Sequence, residues 1–425
     1  MKTSELSLHR AGTLPLSLIT FFLYFALGAV SPVLSLYLTQ YLHFSGGQAG
    51  VILSISALSA IIAPLIGSFV ADRLIPSERL LSVCLFGTAV FLFFLSRVHG
   101  FASVLVVYLG YVLLLGPVSS LNNSVIFHHV PDRRRYGGIR VFGTIGFVAV
   151  AWLFSFLWLR GAGGTVIPGR LPDGLLVSAF TYALLGIYSL TLPVSVRISR
   201  GEKFGLRRLL PRDSLAVILK PQVLLLTAVT LLALIVNSFY YYGASIFLKQ
   251  FGFATDMIMP VLSIGQIVEI PAMAFLGFFI AKLGMKNVLI LGILGNLCRY
   301  LFFMFSGGRP AMIAAGIAFH GINFAFFFST ASIFLDSHVQ PSSRAGAHQL
   351  FAILTTGVGT LAGNLLAGFC SQKFLLLSGG VNFRIFWGFC LAVMVVVFLV
   401  LLFFFRKDGQ PAPGSGKVPF PEQQN

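Results

Sequence analysis

Twelve stretches of roughly 20 mostly apolar residues, separated by short connections, dominate this 425-residue chain. A helix needs about 20 such residues to cross a hydrocarbon layer about 30 Å thick. They fall at roughly 13–38, 48–71, 80–97, 101–127, 137–159, 175–195, 221–247, 257–281, 287–306, 310–335, 345–369 and 382–405, with ends uncertain by a few residues. Apolar residues make up 57% of the chain and charged residues 10%, well below the share that covers a water-facing surface. A soluble enzyme, a disordered chain and a nucleic-acid-binding domain are thereby excluded. The first stretch runs straight into a second one and lacks a small-residue cleavage site, so it reads as a span rather than a signal peptide. There is no Walker loop, nucleophile elbow or metal-ligand cluster. Cys84, Cys298, Cys370 and Cys390 sit singly in apolar runs and read as small core residues. Neither metal nor cofactor is expected.

The basic residues orient the chain. Twenty of the 29 Lys and Arg residues fall in the tails and loops on the N-terminal side, and seven on the other side; Arg140 and Arg299 lie inside spans. Positive charge collects on the cytoplasmic face, so both termini are expected in the cytoplasm, with the protein in the cell's inner membrane. The net charge of +17 then reflects topology and attraction to anionic lipid, without any nucleic-acid partner.

The longest polar connection, 196–220, carries seven basic residues and separates six spans from six. The triplet Leu53, Ser54, Ile55 recurs at Leu262, Ser263, Ile264, 209 residues later. The expected fold is therefore an all-α membrane protein of 12 transmembrane helices in two pseudo-symmetric six-helix bundles. Residues 1–195 and 221–408 would form the bundles, joined by the basic linker, with 409–425 as a cytoplasmic tail. Such internal repeats mark transporters that rock one half against the other around a midplane site.

Eleven of the twelve acidic residues sit in loops, tails or span ends, whereas Glu269 lies mid-span. A carboxylate at that depth costs at least about 2.5 kcal/mol, so it faces protein or water and marks a pathway. It suits a group that takes up and releases a proton; a structural carboxyl bonded to a neighbouring helix is the alternative. Arg140 opens the fifth span, with Thr144 and Phe147 on the same helix face at i+4 and i+7. Charge, hydroxyl and ring on one stripe suit the wall of a cavity for a flat polar ligand, although an Arg near a span end also snorkels. Arg299 is a second cation inside a span, with Glu269 or another polar group as its expected partner. His320, near Asn323 and Phe324, is either a satisfied buried group or a relay. Asn122 and Asn123 place amides in the fourth span, and Tyr240, Tyr241 and Tyr242 place hydroxyls in the seventh. Gln266 stands one turn before Glu269.

Several segments resemble the major facilitator superfamily and, within it, the nucleoside:proton symporters. They are ProValSerSerLeuAsnAsnSerValIlePheHisHis at 117–129, IleArgValPheGlyThrIleGlyPhe at 139–147, SerIleGlyGlnIleValGlu at 263–269, GlyMetLysAsnVal at 284–288, and the stretch 326–349. The resemblance runs over nearly all of the chain. It implies proton-coupled nucleoside uptake by alternating access, by a monomer in lipid. The substrate site would be Asn123, Arg140, Thr144, Phe147, Tyr241, Gln266, Glu269, His320 and Phe324, with Glu269 and His320 coupling to the proton. The sequence departs from the family at Ala325, which stands where these symporters carry Asp, and at Ser238 and Tyr241, which replace amides. The Tyr-rich seventh span looks more like the phenylpropionate permeases. Arg140, Glu269, Arg299 and His320 match functional residues of lactose permease, whose acids are replaced here by Asn122 and Asn323. Symport of aromatic acids or oligosaccharides and uncoupled facilitation remain the alternatives, and a membrane-embedded enzyme is a third class.

Overall fold

The computed structural model describes residues 13–60, 75–130, 136–160, 169–193, 212–340, 343–377 and 379–406. The end of the second expected span, most of the 196–220 linker and the tail beyond 406 lie outside the described residues. Ten helices among those described are long and apolar enough to cross a membrane. In chain order the helices are α1 (Thr13–Tyr41), α2 (Gly46–Ala60, shorter), α3 (Ser77–Leu95), α4 (Phe101–His129), α5 (Tyr136–Leu159), α6 (Asp173–Leu190), α7 (Pro221–Gln250), α8 (Thr255–Phe305), α9 (Pro310–Ser337), α10 (Gly346–Lys373) and α11 (Phe383–Phe404).

Local chemistry sets many of these limits. Ser45 caps α2 in a reciprocal box with Gln48, and Asn382 caps α11. Pro221 and Pro310 open α7 and α9, where a missing N–H costs nothing. The 51-residue α8 breaks at Gly284, whose φ of 77° belongs to the left-handed region that glycine enters without a Cβ penalty. Its two limbs are the expected spans 257–281 and 287–306.

The helices pack in two sets. In one, α1 lies against α5 and α6, and α3 against α4 and α6; in the other, α8 packs on α9 and α11, and α7 on α10 and α11. Contacts between the sets gather toward one end, where α2 meets α10, α5 meets α8 and α1 meets α7. At the α2–α10 crossing, a Cβ on Gly50 would stand 2.7 Å from the Asn364 carbonyl oxygen and 2.8 Å from the Gly368 Cα. Only hydrogen at both glycines lets the backbones approach this closely. Tyr242 Oη donates to the Gly46 carbonyl at 3.0 Å and lies 2.8 Å from Ser371 Oγ. Arg160 pairs with Asp256 at the rim.

Both copies of the repeated triplet lie at this seal. Asn364 Nδ2 donates to the Leu53 carbonyl at 3.2 Å, and Trp152 Nε1 donates to Ser263 Oγ at 3.1 Å. Each copy of the triplet thus receives a hydrogen bond from the opposite set. Ser35 Oγ lies 3.0 Å from Ser245 Oγ, 210 residues later. A contact between near-equivalent positions lies where a pseudo-two-fold axis would pass.

Two acids that the sequence places at span ends are in fact buried. Asp256 is covered by its pairing with Arg160, and Glu78 lies 3.3 Å from His129 Nε2 with both side chains enclosed. Proximity to a span end says nothing about coverage by neighbouring helices.

Gly50→Val should prevent the seal from closing. Overpacking by about 1–3 kcal/mol shifts a two-state balance roughly 5- to 150-fold. A cysteine placed at Ser245, which is fully buried, should therefore react with a membrane-impermeant maleimide at least several-fold faster in the Gly50→Val background than without it.

Candidate functional site

From the seal, a cavity of about 550 Å³ runs between the two sets toward Ser332 and His348, near the opposite helix ends. Its walls carry Ser31 and Ser35 of α1, Tyr108 of α4, Asn237, Ser238 and Tyr241 of α7, Phe324 and Phe328 of α9, and Thr355 and Asn364 of α10. A contiguous chamber of about 320 Å³ shares Ser31 and Tyr241 with it and adds Phe147, Tyr240 and Gln266. Volumes of about 300–1,000 Å³ are usual for small-molecule sites. Three polar atoms in these walls, Thr230 Oγ1, Asn237 Oδ1 and Gln266 Oε1, are buried without a protein partner.

Three walls depart from regular α geometry, α1 through a run of turns over 31–33 that includes Ser31. α9 winds into a π-helical turn over Phe324–Ser329, and α10 does so over Ile353–Gly357. Such bulges often occur at functional sites because they re-aim side chains. Here they set Phe324, Phe328, Thr355 and Thr356 in the cavity wall.

Of the expected site residues, Phe147, Tyr241, Gln266 and Phe324 line the two chambers. Arg140 lies over the ring of Tyr24, its Cζ 4.4 Å from the centroid, a favourable cation–π arrangement. Glu269 is half-buried one turn from Gln266. Thr144 is half-buried one turn beyond Arg140. Asn123 lies apart from both chambers: its Oδ1 accepts from Tyr136 Oη at 3.0 Å and ties α4 to α5.

His320 is enclosed rather than exposed to the cavity. Arg299, fully buried, donates from Nη1 to His320 Nδ1 at 2.7 Å and from Nη2 to Tyr300 Oη at 2.7 Å. It also lies over the rings of Tyr240 and Tyr300, at 4.6 and 4.7 Å. The expected alternative partner, Glu269, is not among its contacts; among the described residues no carboxylate pairs with Arg299. A guanidinium only donates, so Nδ1 of His320 is an acceptor and the ring proton sits on Nε2. No second proton fits on this ring while Arg299 holds it.

The positions that depart from the family pattern are also explained. Ala325 is fully buried, packed with Leu276, Val288 and Phe326, so no cavity-facing group is lost there. Asn122 Nδ2 donates to Thr20 Oγ1 at 3.3 Å, and Asn323 Nδ2 to the Gly292 carbonyl at 3.0 Å. Both amides tie helices together. Sequence reasoning missed Tyr24, Ser31, Tyr108, Asn237 and Thr355. Asn237 was within reach, since it precedes Tyr241 by one helical turn; Thr355 was not, because a π turn sets its direction.

A multi-helix bundle with a cavity along the seam of two helix sets is the architecture of a multi-pass membrane transporter. A family profile described as nucleoside H+ symporter matches residues 11–410, and the chain belongs to that family. It is 30% identical over 408 residues to YegT of Escherichia coli (strain K12), which carries a nucleoside-transporter designation, covering 93% of this chain and 94% of that protein. It is 26% identical over 408 residues to the xanthosine permease of the same organism, covering 92% and 94%. Among solved structures, a mutant of the nucleoside transporter NupG superposes with a TM-score of 0.84 at 22% identity, over 93% of this chain and all of that one.

Tyr300 Oη both accepts from Arg299 and donates to the Val236 carbonyl at 3.0 Å. Tyr300→Phe removes the acceptor of Arg299 Nη2 and leaves that buried donor unmatched, at about 1–3 kcal/mol. The thermal unfolding midpoint of the purified protein should fall accordingly, as read by intrinsic fluorescence.

Proposed function

We propose that this protein is a proton-coupled nucleoside importer of the inner membrane, monomeric in lipid, with both termini in the cytoplasm. The halves 1–195 and 221–408 act as the rocking bodies and 196–220 tethers them. The sealed end then faces outward and the cavity opens inward, as the distribution of Lys and Arg favours. The observation that supports this reading is the cavity between the two helix sets, with Phe147, Tyr241, Gln266 and Phe324 in its walls and Glu269 one turn from Gln266, in a chain of the nucleoside H+ symporter family.

Glu269 takes the proton. With its carboxylate ionised, attraction to Arg140 pulls the halves together across the seam; protonation removes that attraction and lets them part. Substrate polar groups meet Arg140 and Gln266, while Phe147 and Phe324 offer faces for the base. Stacking of a base on an aromatic ring contributes about 1–3 kcal/mol in nucleic-acid complexes. The proton is assigned to Glu269 alone, since His320 is held as an acceptor by Arg299.

In proteoliposomes, an inward proton gradient should drive uridine above equilibrium, and a protonophore should collapse the accumulation. Glu269→Gln should abolish gradient-driven accumulation while exchange of internal for external uridine continues. Full accumulation by that variant would remove the coupling role. Phenylpropionate and a disaccharide, tested alongside uridine, should not be accumulated.

A further inference from the structure

The turns over 31–33 interrupt α1 inside its span. Pro32 is the cause: it brings no N–H to the Gly28 carbonyl one turn back, and its ring crowds that carbonyl. The chain tightens instead, with Val33 N–H donating to the Val30 carbonyl at 3.2 Å. Ser31, at the head of the break, is half-buried and lines three spaces. Two are the main cavity and the chamber of Gln266. The third is a recess of about 260 Å³ inside the first helix set, walled by α1, α2, α4 and α6. Ser31 is the residue common to all three.

Serine hydroxyls inside helices turn back onto a carbonyl of the preceding turn, as those of Ser54, Ser56 and Ser59 in α2 do. The Ser31 hydroxyl has no protein partner, and its oxygen is not one of the sealed atoms of the interior. The same holds for Tyr108 Oη, in the wall shared by the recess and the main cavity. The Tyr108 ring rests against that of Tyr111, with centroids 5.6 Å apart. Two open hydroxyls therefore stand where the recess meets the main cavity. A hydroxyl both donates and accepts, so the pair complements a ligand hydroxyl whichever way its proton points. A carboxylate, which only accepts, makes less use of it.

Phe147 and Gln266 belong to one outer chamber and Phe324 to the other, and the recess holds none of them. A nucleoside carries its hydroxyls on the sugar, apart from the ring faces of its base. We infer that, with the base against those rings, Ser31 and Tyr108 bind a hydroxyl of the sugar, so that the first helix set selects substrates that carry it. The inference rests on the nucleoside reading above and adds to it a sugar contact on the half opposite Gln266 and Tyr241.

Calorimetric titration of the purified full-length protein with uridine and its three monodeoxy analogues, each lacking one sugar hydroxyl, tests this. The native protein should bind at least one analogue about three- to tenfold more weakly than uridine, the loss of one neutral hydrogen bond. In Ser31→Ala that ratio should fall to within about twofold of unity while the ratios for the other analogues stay as they were, and Tyr108→Phe should lower the same ratio. Each variant removes a single oxygen atom, and monodispersity by size exclusion checks that it folds. Equal binding of uridine and all three analogues by the native protein overturns the inference and leaves the nucleoside reading standing. A weakened analogue whose ratio is unchanged in Ser31→Ala or in Tyr108→Phe also overturns it, since that hydroxyl is then read elsewhere. Ratios that shift alike for all three analogues mark a structural role and overturn it as well. Binding of no nucleoside by the native protein overturns the nucleoside reading and this inference together.

Discussion

Polar side chains in a span cannot face hydrocarbon, and that constraint arranges everything else in the molecule. Groups with no use for lipid collect at the seam between the two helix sets or inside one of them. Arg299 is the extreme case. It is fully buried, has no carboxylate partner among the described residues, and is held by an imidazole nitrogen, a phenol oxygen and two aromatic faces, with its Nε left without an acceptor. A charge accommodated in this way fixes the hydrogen-bond direction of its neighbours.

The seal and the cavity both follow from how the two helix sets meet. Equivalent or near-equivalent positions meet at one end, as Ser35 meets Ser245, and backbones touch where Gly50 crosses Gly368. Away from that end the sets diverge, and the polar residues of α1, α7, α9 and α10 are left lining a cavity. The seal consists of small residues and neutral hydrogen bonds, with one ion pair at its rim. Such contacts hold a state without making it hard to leave, as alternating access requires.

Much of the architecture was legible in the sequence. Hydropathy marks the spans because a helix must match the thickness of the hydrocarbon, and Gly284 marks the break in α8. Phe147 and Gln266 were picked out because helical spacing places them on the faces of Arg140 and Glu269, and Tyr241 and Phe324 through the family resemblance; all four line the chambers. The triplet at Leu53 and Leu262 was visible as a repeat, but the hydrogen bond that each copy receives from the opposite set was not. Burial of Glu78 and Asp256 was equally invisible, since it depends on distant neighbours.

What the sequence by itself determined is the all-helical membrane class, the order of the apolar stretches and the acid within the eighth. All of these follow from the local free energy of moving residues between water and lipid. Only the tertiary structure decided that Arg299 faces His320 rather than Glu269, that Asn123 belongs to a helix tie, and that π turns aim Phe324 and Thr355 into the cavity. Those outcomes depend on which helix faces meet, and helix pairing is set by packing between segments hundreds of residues apart, which no local pattern encodes.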